Sequence, residues 1–171
     1  MQLKIDPKLC TGCRMCEMEC SFAHEQRFGT HISRVRVVKL EEVGIDYPVI
    51  CQQCANASCI AACPVGALSK TEAGTIAVDH EKCTRCGACV AACPFGAMNA
   101  HPDTGWPISC DLCGGDPSCA KGCPTGAIVV EEEGVPAVEK QTELIEKSQS
   151  ARERFVQNRT KKLANSWGGE S

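Results

Sequence analysis

The sequence predicts an α+β fold in which two interleaved units repeat one cysteine-rich pattern among short β-hairpins and small helices. Its 16 cysteines fall into four groups of four, with none left over. The phrases CPVGAL, CPFGAM and CPTGAI recur at intervals of 30 residues and mark an internal repeat. The stretch that joins the second and third groups has the residues of a strand, a turn and a returning strand. These three observations predict the fold class.

Each group places three cysteines close together and a fourth shortly after them. Group three is compact, since CTRCGACVAACP spaces its cysteines by two, two and three residues. Groups two and four are stretched before their third cysteine, by ANAS at 55–58 and GGDPS at 114–118, which predicts either longer surface turns or altered solvent access. The groups are Cys10, Cys13, Cys16 and Cys20; Cys51, Cys54, Cys59 and Cys63; Cys83, Cys86, Cys89 and Cys93; and Cys110, Cys113, Cys119 and Cys123.

The spacing within group three suits a [4Fe-4S] cubane. Three thiolates in a CxxCxxC segment can hold three corners of one cubane, because the curled backbone between them presents amide hydrogens to the cluster sulfurs. Cys93 follows three residues later, at a short helical turn, and reaches a second cubane. Proline then fixes its own φ, and the glycine two residues later lets chain and cluster approach closely. Each group therefore connects two clusters.

Two other uses of cysteine compete with this interpretation. A single zinc ion is usually held by two separated pairs of ligands, which a CxxCxxCxxxCP run fits poorly. A disulfide scaffold needs an oxidising compartment, whereas MQLKIDPKLC lacks the basic and apolar regions of an export signal. No apolar run approaches the roughly 20 residues that cross a bilayer. We therefore expect a cytoplasmic chain with reduced thiols, no transmembrane segment and four [4Fe-4S] clusters.

The inner unit is predicted from the segment between groups two and three. In CPVGALSKTEAGTIAVDHEKC a strand is followed by a turn at 72–74 and a strand that leads into group three. Four Phe, two Trp and one Tyr are few for an ordinary core in 171 residues, so the bound clusters must help to organise the interior.

The outer unit is predicted from the two ends of the repeated region. After group four, GAIVVEEEGVPAVE aligns without gaps on GALSKTEAGTIAVD, but no cysteine group follows. The missing segment is at the N-terminus, where LKIDPKLC matches IAVDHEKC and places Cys10 on Cys83. The predicted domains are an outer unit at 1–50 and 94–138, an inserted inner unit at 51–93 and a tail at 139–171.

All four cysteine groups, together with the three CPxGA phrases, resemble the four-cluster, sixteen-cysteine ferredoxin-like iron–sulfur subunits of multi-component oxidoreductases. The resemblance covers residues 3–138 and implies two interleaved bacterial-type ferredoxin-like units, each with two [4Fe-4S] clusters. It departs from the family pattern at Cys20, which is followed by Ser21 instead of proline. It also implies the ligand sets: cluster 1, Cys10, Cys13, Cys16 and Cys123; cluster 2, Cys51, Cys54, Cys59 and Cys93; cluster 3, Cys83, Cys86, Cys89 and Cys63; cluster 4, Cys110, Cys113, Cys119 and Cys20.

The resemblance further implies a non-catalytic subunit that relays single electrons between a large catalytic oxidoreductase subunit and a flavin-containing or other redox subunit. The sequence has no phosphate-binding loop or nucleophile–base pair, and no nucleic-acid partner is expected. Its size, its short loops and the stretch CRMCEMECSFAHE are most similar to the small subunit of bacterial tungsten-dependent aldehyde oxidoreductase complexes. Hydrogenases, carbon monoxide dehydrogenases, formate dehydrogenases and molybdenum reductases are alternative partners, and a zinc-binding structural scaffold is the alternative of another class.

Charge separates the cysteine-rich region from the tail. The formal net charge is −3, and four oxidised clusters with their thiolates, each at about −2, change it to about −3 − 8 = −11. The tail is helical or extended, and is either solvated or used for docking through Phe155 and Trp167, including head-to-tail self-association through 139–171. Its basic residues, opposed within 147–162 by Glu153 alone, are Lys147, Arg152, Arg154, Arg159, Lys161 and Lys162.

The remaining ring side chains are assigned no ligand role. His24, His31, His80 and His101 lack metal-ligand spacing and are expected at the surface or in loops, the alternative being that one of them tunes a nearby cluster. Trp106, just before group four, is expected to pack in the interior, to lie over a cluster, or to stack between the two units.

Overall fold

The strands pair as four separate antiparallel ribbons, and no larger sheet forms among residues 1–40 and 45–131, the part of the chain that this computed structural model describes. Short, separate ribbons joined by turns are what the sequence predicts, and the α+β fold class is confirmed. The ribbons are β1 (Gln2–Ile5) with β8 (Ile128–Glu131), β2 (Arg36–Leu40) with β3 (Ile45–Val49), β4 (Leu68–Lys70) with β5 (Ile76–Val78), and β6 (Asn99–Ala100) with β7 (Pro107–Ile108).

The helices are short except for the first. Helices α2 (Ser58–Ala61), α3 (Ala88–Ala91) and α4 (Ser118–Lys121) have four residues each, and every one ends just before a Cys-Pro pair. Proline cannot donate the backbone hydrogen bond that another helical turn needs. Group one lacks this proline, and α1 (Met15–Glu25) continues past Cys20 for a total of 11 residues. Two 3₁₀ turns, Thr30–Ile32 and Leu112–Gly115, complete the described helical structure.

The ribbon that joins β1 to β8 has the same register as the inner hairpin. Ile5 lies opposite Ile128, and Val78 lies opposite Leu68, at the positions that the repeat makes equivalent. The aspartate that follows β1 and the one that follows β5 also make equivalent backbone hydrogen bonds. The backbone N–H of Asp6 donates to Ala127 at 2.9 Å, and that of Asp79 donates to Ala67 at 2.8 Å.

The predicted inner hairpin is present and carries a small apolar core. Its turn closes through the N–H of Gly74, which donates to the carbonyl of Thr71 at 2.9 Å. Buried Leu68, Ile76 and Met98 form the centre of this core, and cysteines of groups two and three pack around it. The apolar core is therefore small and is continuous with the thiol-lined regions.

Two ribbons were not predicted. Val35, just before β2, and Val37, within it, are buried, and the N–H of Val37 donates to the Glu17 carboxylate of α1 at 2.7 Å. The β6–β7 ribbon is closed by buried His101, whose backbone N–H donates to Trp106 at 2.7 Å. Both are too short or too interrupted to show a clear alternating pattern.

The tail at 139–171 and the last predicted residues of the outer unit, 132–138, lie outside the described residues. Among the residues that are described, none of the helices has the length and apolar character needed to cross a membrane.

Candidate iron–sulfur sites

All sixteen cysteines fall within the described residues, and none of them is in a disulfide. In groups two and three, they line two cavities. Each cavity takes three cysteines from one group and the fourth from the other, so the donors fit a [4Fe-4S] cluster in number and kind. One cavity is lined by Cys51, Cys54, Cys59 and Cys93, and the other by Cys63, Cys83, Cys86 and Cys89.

The cysteines of groups one and four also mix. Burial, followed by the charges of Glu17 and Cys123, raises the pKa of Cys16 to about 12. Burial raises the pKa of Cys119 as well, followed by the charges of Cys110 and Cys20. Cys123 also acts on Cys10, so Cys123 lies near Cys10 and Cys16, and Cys20 lies near Cys110 and Cys119.

The backbone curls in the same way inside each CxxC segment. The residue before the second cysteine has a left-handed conformation in all four groups, and three of these four residues are not glycine. Such conformations are disfavoured for residues with a Cβ and concentrate at ligand-binding segments. The four residues and their φ angles are Gly12 at 64°, Gln53 at 48°, Arg85 at 58° and Leu112 at 59°.

Backbone amides are directed at the cysteine sulfurs. In the CPxGA phrases, the alanine N–H turns back to the cysteine, from Ala67 to Cys63 Sγ at 3.2 Å and from Ala97 to Cys93 Sγ at 3.4 Å. The bond from Ala67 lowers the pKa of the Cys63 thiol. An amide that stabilises thiolate also stabilises a metal–thiolate bond, which gives the repeated GA pair a chemical role.

His24 is the histidine that lies beside the cysteines, and the sequence did not single it out from the other three. It is not in a loop but on α1, four residues after Cys20, with its side chain 12% exposed. Its Nδ1 lies 2.8 Å from the Cys20 carbonyl oxygen and 3.8 Å from Cys20 Sγ, and its Nε2 lies 3.0 Å from Asp111 Oδ1. A hydrogen bond to Asp111, then one to Cys113, raises the pKa of His24 to about 12.

His24 reaches this position because Ser21 replaces the proline of the other groups. The helix continues by more than one turn, and residues four apart on a helix share a face. Ser21 is fully buried, and its hydroxyl donates to the Met18 carbonyl at 2.9 Å. The spacing from Cys20 to His24, with no proline between them, is the signal that the sequence carried.

Donor atoms of His24, Asp111 and Cys113 lie within 4.8 Å of one another, close enough for a metal ion. Asp111, however, is also paired with the guanidinium of Arg34. A cation already pairs with this carboxylate, and Cys113 is one of the thiols grouped around Cys119. The arrangement therefore suits a hydrogen-bond network beside a cysteine-bound cluster better than a separate metal site.

The two insertions and Trp106 were the remaining features of interest in the sequence. The tips of both insertions, 55–56 and 114–116, are exposed turns. Trp106 stacks on His80 with ring centroids 4.4 Å apart, and the Arg85 guanidinium lies 4.2 Å from the Trp106 ring. It thus links the β6–β7 ribbon to the segment around group three.

Sequence comparison finds related proteins, and each of the two described here matches about half of this chain. An aliphatic sulfonate oxidoreductase polyferredoxin-like subunit from Pyrococcus furiosus is 46% identical over 85 residues, 49% of each chain. A tetrathionate reductase subunit from Archaeoglobus fulgidus is 36% identical over 84 residues, 49% of this chain and 41% of that protein. The chain thus spans about half the length of these relatives or less. In structure, a chain of the active site complex of benzoyl coenzyme A reductase is 30% identical, with a TM-score of 0.47, over 83% of this chain and 85% of that one.

Two sequence families match the cysteine groups directly. The 4Fe-4S binding domain matches residues 7–23, which contain group one. The 4Fe-4S dicluster domain matches residues 44–133, which contain groups two to four and make up more than half of the 171 residues. The chain therefore belongs to the 4Fe-4S dicluster domain family of ferredoxin-like iron–sulfur proteins.

Proposed function

We propose that the chain relays single electrons through four [4Fe-4S] clusters, with the four ligand sets named above, in two nested ferredoxin-like units. The observation that supports this proposal best is that Cys93 and Cys63 each line a cavity with three cysteines of another group. The interactions of Cys123 with Cys16 and of Cys20 with Cys119 support the same crossing in the outer unit. A bound [4Fe-4S] cluster supplies one-electron oxidation and reduction. The polypeptide contributes the thiolates, the amides directed at sulfur and the close spacing of neighbouring sites.

The contacts between sites support the order 1–4–2–3. Sites 1 and 4 adjoin, because Cys16 is among the thiols that act on Cys119. Sites 4 and 2 adjoin as well. Cys51 contributes to raising the pKa of buried Cys110, and the Gln53 side-chain amide donates to the Cys110 carbonyl at 2.8 Å. Sites 2 and 3 pack on one apolar core.

The ends of this series are the places where electrons enter and leave. Of the sixteen cysteines only Cys13, at site 1, and Cys86, at site 3, are exposed. Two residues after Cys13, α1 exposes Met15. Two turns further along the same face, exposed Phe22 stacks on exposed Phe28 with ring centroids 4.9 Å apart. Exposed apolar side chains next to a terminal site are suited to a protein partner.

For the partner at one end we propose a large catalytic oxidoreductase subunit, of the tungsten-pterin aldehyde oxidoreductase type, and at the other a flavoprotein or similar redox protein. The size and short loops of this chain, with the group-one stretch, support the tungsten assignment. Hydrogenase, carbon monoxide dehydrogenase, formate dehydrogenase and molybdenum reductase subunits are the alternatives. Anaerobic purification of the native complex, followed by identification of its largest subunit and its metal, tests the assignment.

Metal analysis tests the relay itself. The proposal requires about sixteen irons per chain with an equal amount of acid-labile sulfide, and paramagnetic signals after reduction. Zinc without sulfide would instead support a structural scaffold.

The basic tail and the cellular location stay predictions. Docking or head-to-tail self-association through 139–171 requires that removal of these residues lowers particle mass or partner binding. A cytoplasmic location requires that the tagged native protein stays in the cytoplasmic fraction.

A further inference from the structure

The ligand sets of clusters 1 and 4 have different charged surroundings: the less exposed charges are anionic beside cluster 1 and cationic beside cluster 4. The difference arises largely from α1, which passes both sites and carries an acid at one end and a histidine at the other. Charges and hydrogen bonds near the sulfur atoms are the main means by which a protein sets the potential of an iron–sulfur cluster.

Beside the cluster 4 ligands, His24 is a cation. Its Nδ1 faces the Cys20 carbonyl oxygen at 2.8 Å, and its Nε2 faces a carboxylate oxygen of Asp111 at 3.0 Å. Both of these oxygens only accept hydrogen bonds, so both ring nitrogens must carry a hydrogen. The geometry therefore requires an imidazolium next to Cys20.

Arg34 adds a second cation to the same network. Its guanidinium pairs with Asp111, and its backbone N–H donates to Cys20 Sγ at 3.3 Å. Two cations against one carboxylate leave a charge of +1. The cationic side chains are also less exposed, at 12% for His24 and 23% for Arg34, than Asp111 at 40%, so water screens the carboxylate most.

Beside the cluster 1 ligands, the less exposed charges are carboxylates. Glu17, next to Cys16, has a side chain only 3% exposed, and one of its oxygens accepts no hydrogen bond. Its cationic neighbour Arg14 lies 3.6 Å away and is 42% exposed. Asp46 is likewise 23% exposed against 44% for its partner Lys39. Screening therefore weakens the cations more than the acids.

The Asp46 carboxylate also lies against the cluster 1 loop itself. A Cβ placed on Gly12, between Cys10 and Cys13, would be 2.5 Å from Asp46 Oδ2. Only the absence of a side chain at Gly12 allows this acid to approach the CTGC segment so closely.

We propose that these opposed charges separate the potentials of the two outer clusters, so that an electron rests on cluster 4 in preference to cluster 1. Reduction adds one negative charge, which His24 and Arg34 stabilise and which Glu17 and Asp46 oppose. In the transfer, the donor site loses one electron and the acceptor site gains it, and no proton or atom moves. The inference rests on the proposed relay. In the order 1–4–2–3, which begins at the exposed Cys13, it makes cluster 4 the site at which an electron is held.

The experiment is a potentiometric titration of the anaerobically purified full-length protein, followed by electron paramagnetic resonance. Cys20→Ala, which removes a cluster 4 ligand, identifies the signal of that cluster. We expect the midpoint of cluster 4 to lie above that of cluster 1. His24→Gln should lower the midpoint potential of cluster 4 by at least about 59 mV. This shift corresponds to a tenfold change in the ratio of reduced to oxidised cluster. The matched control His31→Gln removes an exposed histidine and should shift none of the four midpoints.

Glu17→Gln provides the opposite test, since it removes the buried charge with little change of shape. It should raise the cluster 1 midpoint and leave cluster 4 unchanged. If His24→Gln loses the cluster, Arg34→Gln takes its place, because the backbone N–H to Cys20 remains in that variant.

Two results would overturn the inference: equal midpoints for clusters 1 and 4 in the unaltered protein, or substitutions at His24, Arg34 and Glu17 that leave both midpoints unchanged. These results are distinct from failure of the relay, in which the purified chain contains no reducible clusters at all.

Discussion

At the residue scale, the close approach of Asp46 makes Gly12 more demanding than Gly66, a glycine of similar backbone conformation. Gly12 has a φ of 64°, and Gly66 has a φ of 61° with no atom within 4 Å of a Cβ placed on it. Both positions impose a strain of about 1–2 kcal/mol on alanine. Only Gly12 adds a collision with a carboxylate.

Gly12→Ala should therefore shorten the lifetime of the visible cluster absorbance on heating much more than Gly66→Ala does. The added substitution Asp46→Ala should return the Gly12 variant to the behaviour of the Gly66 variant, because it removes the colliding carboxylate. Equal lifetimes for Gly12→Ala and Gly66→Ala would show that the contact with Asp46 does not matter.

Cys93 provides the test of the crossed ligand sets. It lines the cavity of Cys51, Cys54 and Cys59, although it belongs to group three in sequence. Cys93→Ala should therefore damage cluster 2 and spare cluster 3, as followed by iron content and paramagnetic signals. The matched variant Cys63→Ala should do the reverse. Selective loss of cluster 3 from the Cys93 variant would refute the crossed assignment.

The residues predicted best from the sequence are those whose role follows from covalent spacing. The cysteine groups are of this kind, because a few bonds determine where each thiol can reach. His24 was not singled out because its role depends on how far α1 continues and on Asp111, which is 87 positions away. Such a contact is a property of the fold.

At the element scale, the β1–β8 ribbon holds together the two ends of the described chain. Ile128 is 1% exposed, whereas Val129, next to it in β8, is half-buried. Truncating a buried isoleucine to alanine costs about 2–5 kcal/mol. This loss of stability should affect the outer unit, because β4 and β5 form the inner hairpin without β8.

Ile128→Ala should therefore release iron from clusters 1 and 4 at a lower temperature than from clusters 2 and 3. Val129→Ala is the control on the opposite face and should have a smaller effect. Stepwise bleaching with half of the iron retained is the expected signature, and simultaneous loss of all four clusters would show that the units are not separable.

Elements were predictable where they belong to the repeat. The inner hairpin and the short helices follow from turn residues and Cys-Pro pairs at fixed offsets. The β2–β3 ribbon lies outside the repeat. The N–H of Val37 donates to Glu17 of α1, 20 positions earlier, and local sequence does not predict such a contact.

At the scale of the whole molecule, we expect the bound clusters to supply stability that the small apolar core does not. Burial raises the pKa of Cys16 and of Cys110 to about 12, so without metal these thiols are neutral and make no bond of comparable strength. Metal binding requires thiolates and releases their protons, so cluster retention should weaken as pH falls.

Chelation of iron should therefore unfold the described region. We expect loss of helical circular dichroism together with visible absorbance, and faster loss at pH 6 than at pH 8. A chain that keeps its spectrum and its protease resistance after removal of iron would show that the apolar core suffices on its own.

The β1–β8 ribbon also determines when the protein can be completed during synthesis. The cysteines of group one leave the ribosome first, yet the strand that pairs with β1 ends at Glu131, so it emerges more than a hundred residues later. The inner hairpin and its two cysteine groups are by then already available to the machinery that delivers iron and sulfide. We therefore expect the inner unit to acquire its clusters before the outer one, so that the thiols of group one, which emerge before those of the other three groups, wait longest for protection from oxygen.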